Sequence, residues 1–150
     1  MLRKILVLFE TVNIRKEVIR YSTGLAKRTD SDLMFLIILN PNTWQSSGSK
    51  YDTSLKNSDL EKAGKEAIKP YILEIEQEGV KVTSEVCIGD PPSEFLKFMA
   101  KNAPFQAVIW GGMEPQEGKS RKMEGHWLRR VQSMIAVSYT HLTLPTNREV

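Results

Sequence analysis

Three short runs constrain this chain more than anything else in it: KILVLF at residues 4–9, LMFLIIL at 33–39 and QAVIW at 106–110. Successive side chains of a strand face opposite sides of its sheet, so a run that is apolar at nearly every position belongs to a strand buried on both faces. Buried strands of this kind are parallel, and parallel neighbours need a long crossover, usually a helix, to bring the chain back. The three runs are therefore expected to be neighbouring parallel strands, with the first one central.

The intervening segments supply the crossovers. After Glu10 and Thr11 comes Asn13, read as an N-cap, then Ile14, Val18, Tyr21, Ser22, Leu25 and Thr29 at helical spacing. Asn40-Pro41 closes the second strand, because proline restricts its predecessor and cannot donate to a ladder. Residues 42–58 turn polar, with Trp44 and Tyr51 the large exceptions, and read as a long loop. Leu60, Ala63, Gly64, Ala67, Ile68, Tyr71, Ile72 and Ile75 then define one apolar helix face. The pattern stays in phase past Pro70, which predicts one bent helix instead of two, stopped by Gly79. Residues 80–88 alternate as a third strand nearer an edge, and Gly89-Asp90-Pro91 opens a helix with Asp90 as N-cap and Pro91 at its first position. Phe95, Leu96, Met99 and Ala100 form its buried side, and residues 102–104 end it.

Composition narrows the function. At 150 residues the chain has the size of one domain. Its net charge of +3 comes from scattered basic residues, not the basic stripe with interleaved aromatics that nucleic acid requires. Cys87 is the single cysteine, which rules out an internal disulfide and fits a reducing compartment. The first apolar run is too short for a signal segment or a membrane span, so a cytoplasmic protein without membrane association is expected.

Chemistry concentrates after the fourth strand, where QAVIW runs into Gly111-Gly112, a polar loop and an apolar-spaced segment with Met123, Trp127, Leu128 and Val131. Glycines at the carboxyl end of a strand let backbone N–H groups approach a phosphate, and a following helix N-terminus adds partial positive charge. Gly112 with Gly118-Lys119-Ser120 is one residue too long for a phosphate-binding P-loop. The alternatives are a solvated loop carrying Lys119, Arg121 and Lys122, or a looser anion site made from those cations and helix amides. Glu10 reads equally as a nucleoside-contacting carboxylate and as a cap for the first helix. His126 reads as a partly exposed surface residue, Cys87 as an inert apolar one, and Trp44 and Trp127 as packing residues. Two histidines and one cysteine cannot assemble a metal cluster, and no arrangement of residues requires catalysis.

Taken together, strand ILVLFE, helix, strand LMFLIIL, long loop, long helix, strand, the GDPPSEFL turn with its helix, and strand QAVIWGG resemble the universal stress protein family over residues 2–136. The resemblance implies an α/β fold, an open parallel five-stranded sheet in order 3-2-1-4-5 with helices on both faces, like the adenine nucleotide alpha hydrolases. It also implies a small regulatory module, homodimers formed through the last strand, and in many members an ATP site. The residues it assigns to that site are Glu10, Thr11, Leu39, Gly111, Gly112, Lys119, Gly125 and His126. The family motif Gly-x2-Gly-x9-Gly-Ser/Thr, started at Gly112, falls on Pro115, Gly125 and His126, so two of its four elements are lost. Proline has no N–H to give a phosphate and cannot adopt positive φ. The expected site is therefore a degenerate ATP site. A nucleotide-independent dimeric scaffold with a protein partner, and a weak nucleotide-hydrolysing enzyme, are the alternatives.

Residues 137–150, VSYTHLTLPTNREV, depart from the pattern. Their first ten residues resemble the translation of a transposon-end adapter used in sequencing-library preparation; the other reading is a fifth strand. The expected organisation is one domain over residues 1–136 and a non-native tail over 137–150, with the last strand missing or replaced by the tail.

Overall fold

The computed structural model describes residues 3–41, 57–102, 104–113, 127–128 and 142–143. In chain order the elements are β1 (Lys4–Glu10), α1 (Lys16–Thr29), β2 (Asp32–Leu39), α2 (Asn57–Gln77), β3 (Val82–Ile88), α3 (Pro91–Asn102), β4 (Ala107–Met113) and β5 (Leu142–Thr143). They form one sheet in the order β3-β2-β1-β4-β5, with every described pairing parallel. Strand β1 is central: Ile5 lies opposite Leu33 on one side and Ala107 on the other. The three apolar runs are thus neighbours, as their patterning requires, and β3 lies at the edge. Two residues of the tail, Leu142 and Thr143, pair with Val108 and Ile109.

The period-two alternation of the strands divides the core into two layers. Ile5, Val7 and Phe9 face the same side as Phe35, Ile37, Leu39 and Ile109, and this layer is covered by α1 through Val18, Ile19 and Ala26 and by α2 through Leu60, Ile68 and Ile75. Leu6 and Leu8 face the opposite side with Leu36, Ile38, Val108 and Trp110, under Phe95, Phe98 and Met99 of α3, with Phe105 and Leu128 alongside. A right-handed crossover explains the division. The chain steps from β1 to β2 to β3 in one direction, placing α1 and α2 on one face, and steps back to β4 in the other, placing α3 on the second face. Each fully buried large apolar side chain contributes roughly 1.5–3 kcal/mol, which makes the three central runs the principal source of stability.

Helix boundaries follow local chemistry with some corrections. Asn13 is not the N-cap of α1: that position is Arg15, whose side chain makes no capping bond, while the Asn13 N–H donates to Thr11 Oγ1 at 2.9 Å. The hydroxyl of Thr11 closes a local turn that delays the helix to Lys16. Asp90 does cap α3, its Oδ2 accepting from the Ser93 N–H at 3.3 Å and hydroxyl at 2.9 Å. Helix α2 runs unbroken through Pro70 and begins at Asn57, so the polar loop read over 42–58 ends two residues earlier than its composition suggests. The rest of that loop lies outside the described residues. At the other end, the Val80 N–H reaches the Ile75 carbonyl and the Gly79 N–H that of Glu76, a Schellman stop. Strand β3 consequently starts at Val82, after Val80 has been used to finish the helix.

Candidate functional site

In an open parallel sheet the ligand crevice lies beyond the carboxyl ends of the strands, where the strand order reverses. Here that point is between β1 and β4, and Glu10 ends β1 beside it. By alternation Glu10 faces the α3 side, like Leu6 and Leu8. Its two carboxylate oxygens are both engaged there: Oε2 accepts from Trp110 Nε1 and Oε1 from Trp127 Nε1, each at 2.9 Å. An ionised carboxylate is acceptor-only and an indole N–H donor-only, so the pairing satisfies three groups at once. Trp110 is buried under this layer, and Trp127 meets Phe95 edge to face with ring centroids 5.3 Å apart. Glu10 therefore joins the end of β1 to β4 and to the segment carrying Trp127. It does not cap α1.

The glycine turn has two different causes. Between Leu8↔Trp110 and Glu10↔Met113 the register shifts, so Phe9 on β1 stands against both Gly111 and Gly112 on β4, a bulge with one extra residue. A Cβ on Gly111 would lie 2.5 Å from the Phe9 ring, whereas one on Gly112 would meet nothing among the described residues, but that residue has φ of +105°. Gly111 is required by a ring pressed against the backbone and Gly112 by the bend of the bulge.

The other predicted site residues separate into two groups. Thr11 is buried and holds the turn after β1, and Leu39 is fully buried with its carbonyl accepting from the Gly89 N–H at 3.0 Å. The structure thus places Glu10, Thr11, Leu39, Gly111 and Gly112 at the carboxyl ends of three adjacent strands. Lys119, Gly125 and His126, and with them Pro115, lie outside the described residues. Sequence reading took Trp127 for a packing residue and missed its bond to Glu10. The signal was a tryptophan at a strand end and another beyond the loop, both needing an acceptor once buried. Among the described residues no three histidine, cysteine, aspartate or glutamate side chains form a group that could hold a metal ion. No helix among them is long and apolar enough to cross a membrane.

Strand order, the switch point and the two helical layers define a doubly wound α/β domain. Comparison with solved structures makes this specific: the chain has the fold of the universal stress proteins. The universal stress protein from Archaeoglobus fulgidus superposes with a TM-score of 0.52, at 14% sequence identity, over 96% of this chain and 93% of that one. A universal stress protein solved in complex with cAMP aligns with a TM-score of 0.48 at 12% identity, over 95% of each chain. Neither a protein-family model nor a curated protein matches the sequence.

Proposed function

We propose that this chain is a small, non-catalytic regulatory module of the universal-stress type whose adenine-nucleotide site is degenerate. The observation that carries this reading is the double commitment of Glu10. A carboxylate that selects a nucleoside from the end of β1 must offer it an oxygen, and here each oxygen already accepts an indole N–H at 2.9 Å. Each oxygen keeps a second lone pair, but a ligand hydroxyl would have to share an acceptor already bonded to an indole N–H, so it gains less than from an unengaged carboxylate. Two further features point the same way. Gly111 is explained by Phe9 without reference to a phosphate. Downstream, Pro115 removes an amide donor and His126 stands where the motif has a hydroxyl. Self-association through the last strand and a cytoplasmic setting belong to the same proposal.

Calorimetric titration with ATP and Mg²⁺ tests it. The expected dissociation constant is in the high micromolar range or weaker, since two lost hydrogen bonds weaken binding on the order of a hundredfold or more. Pro115→Gly with His126→Ser tightens it, and no phosphate is released above background on prolonged incubation. A low-micromolar complex with the unsubstituted chain would overturn the degenerate site. Steady ATP turnover would overturn the non-catalytic reading.

A further inference from the structure

On the opposite face of the sheet from Glu10 and its tryptophans, a cavity of about 370 Å³ opens between α1 and α2. Lys16, Arg20, Thr23 and Lys27 of α1 line it at spacings of four, three and four residues, which lays them along one face of the helix. Ile19 and Ile75, both nearly fully buried, give it an apolar wall, and the Tyr71 ring stands on the α2 side. Its size falls in the range of small-molecule sites.

Thr23 is the unusual member. It is 5% exposed, and its hydroxyl has no hydrogen-bond partner. Helical hydroxyls ordinarily bond back to the carbonyl four residues earlier, and in this same helix Ser22 does so to Val18 and Thr29 to Leu25, each at 2.8 Å. Thr23 leaves the corresponding bond to Ile19 unmade. Buried polar groups are nearly always satisfied, and Thr23 is one of the residues lining the cavity, so a turn of its side chain, whose hydroxyl is itself buried, is what would bring that donor to a partner there.

Charge decides which partner. Lys27 is ion-paired with Glu78 across the two helices. Glu17, the nearest acid on α1, is bonded to Arg15 at 3.3 Å. That leaves Lys16 and Arg20 against Glu74 among the remaining charged residues of the lining, an excess of one positive charge. We propose that this cavity binds a small amphipathic monocarboxylate. Its carboxylate accepts from Thr23 Oγ1 and is neutralised by Lys16 and Arg20, and its hydrocarbon portion lies on Ile19, Ile75 and the Tyr71 ring. The site is independent of the nucleotide reading, since it lies on the other face of the sheet.

Titration of ¹⁵N-labelled protein with octanoate, followed by amide chemical shifts, tests the proposal. Saturable shifts are expected on α1 and α2 around Thr23 and Tyr71, with octanol and inorganic phosphate each binding at least about tenfold more weakly, because each supplies only half of the recognition. Arg20→Gln weakens octanoate about tenfold or more by removing a charged donor. Thr23→Val does the same while leaving the thermal midpoint unchanged or raised, since valine keeps the shape and removes an unpartnered hydroxyl. A threonine present only for packing would leave octanoate binding unmoved in that variant. The proposal is overturned by that result, by octanol binding as tightly as octanoate, or by shifts that map to the Glu10 end of the sheet.

Discussion

Gly111 and Gly112 are neighbours with different reasons for being glycine, and substitution separates them. Gly111→Ala places a methyl 2.5 Å from the Phe9 ring, so the ring or the strand must shift, at about 1–3 kcal/mol. Gly112→Ala meets no described residue but must adopt φ near +105°, which also costs about 1–3 kcal/mol. Urea unfolding of the two in a Phe9→Leu background tells them apart: the penalty at Gly111 shrinks because its partner is smaller, and that at Gly112 does not. Sequence alone displayed the glycines but not these causes, because the Phe9 contact comes from the other end of the chain. Cys87 was legible as an inert residue, and the structure gives the reason. Burial chiefly, then the carboxylates of Glu85 and Glu94, push its thiol up to about 11. Alkylation at pH 8 is expected to be roughly a hundredfold slower than for an exposed cysteine, whose pKa is about 8.5. Glu85→Gln accelerates it, and an unchanged rate in that variant would count against the carboxylate's part. Because the folded pKa lies above the unfolded one, the thiol's contribution to stability is complete below about pH 8.5 and is lost as pH rises towards about 11.

At the scale of elements, strands read more clearly than helix ends. Strand β1 shows apolar residues at every buried position, and no competing pattern exists. The start of α1 was misread because Asn13 is a good N-cap in isolation, yet the Thr11 hydroxyl takes its N–H into a turn. Its end is unusual as well: Asp30 adopts the left-handed conformation at φ 54°, with the Ser31 N–H bonded to the Ala26 carbonyl at 2.9 Å. Asp30→Gly removes the steric cost of that conformation and is expected to raise the thermal midpoint slightly, by an amount equivalent to less than about 1 kcal/mol because glycine also loses more backbone entropy. The bond from Glu10 to Trp110 and Trp127 ties three segments together, so its loss should be felt in all of them. Glu10→Ala leaves two indole donors without this acceptor and is expected to destabilise by about 2–4 kcal/mol, with Glu10→Gln less severe because one acceptor oxygen remains. Chemical denaturation followed by tryptophan fluorescence measures both. Equal stability of all three proteins would show that the carboxylate is replaceable by water.

For the molecule as a whole, the three doubly buried strands made the central place of β1 legible, whereas the full order of the sheet came from the family resemblance; right-handed crossovers account for which helix covers which face. The site was less legible. Its decisive contacts join β1 to β4 and to Trp127, and neither spacing nor periodicity carries information about such pairings. The tail poses the remaining question at this scale. Leu142 and Thr143 pair with β4, which is what an apolar, β-prone segment does beside a strand with free backbone groups, whether or not it was selected for that place. Core positions of selected strands are specified by packing, and their loss costs several kcal/mol. A segment that merely adds backbone pairing at the edge contributes little. Replacing residues 137–150 by a glycine-serine segment of equal length is therefore expected to change unfolding stability by less than about 1 kcal/mol, as surface substitutions do. The Glu10 contacts should be untouched, since they join β1 to the side chains of Trp110 on β4 and of Trp127, neither of which belongs to the replaced segment. A loss above about 3 kcal/mol in urea unfolding would mean that the fifth strand is an integral part of the fold, and would remove the reason for regarding the tail as foreign.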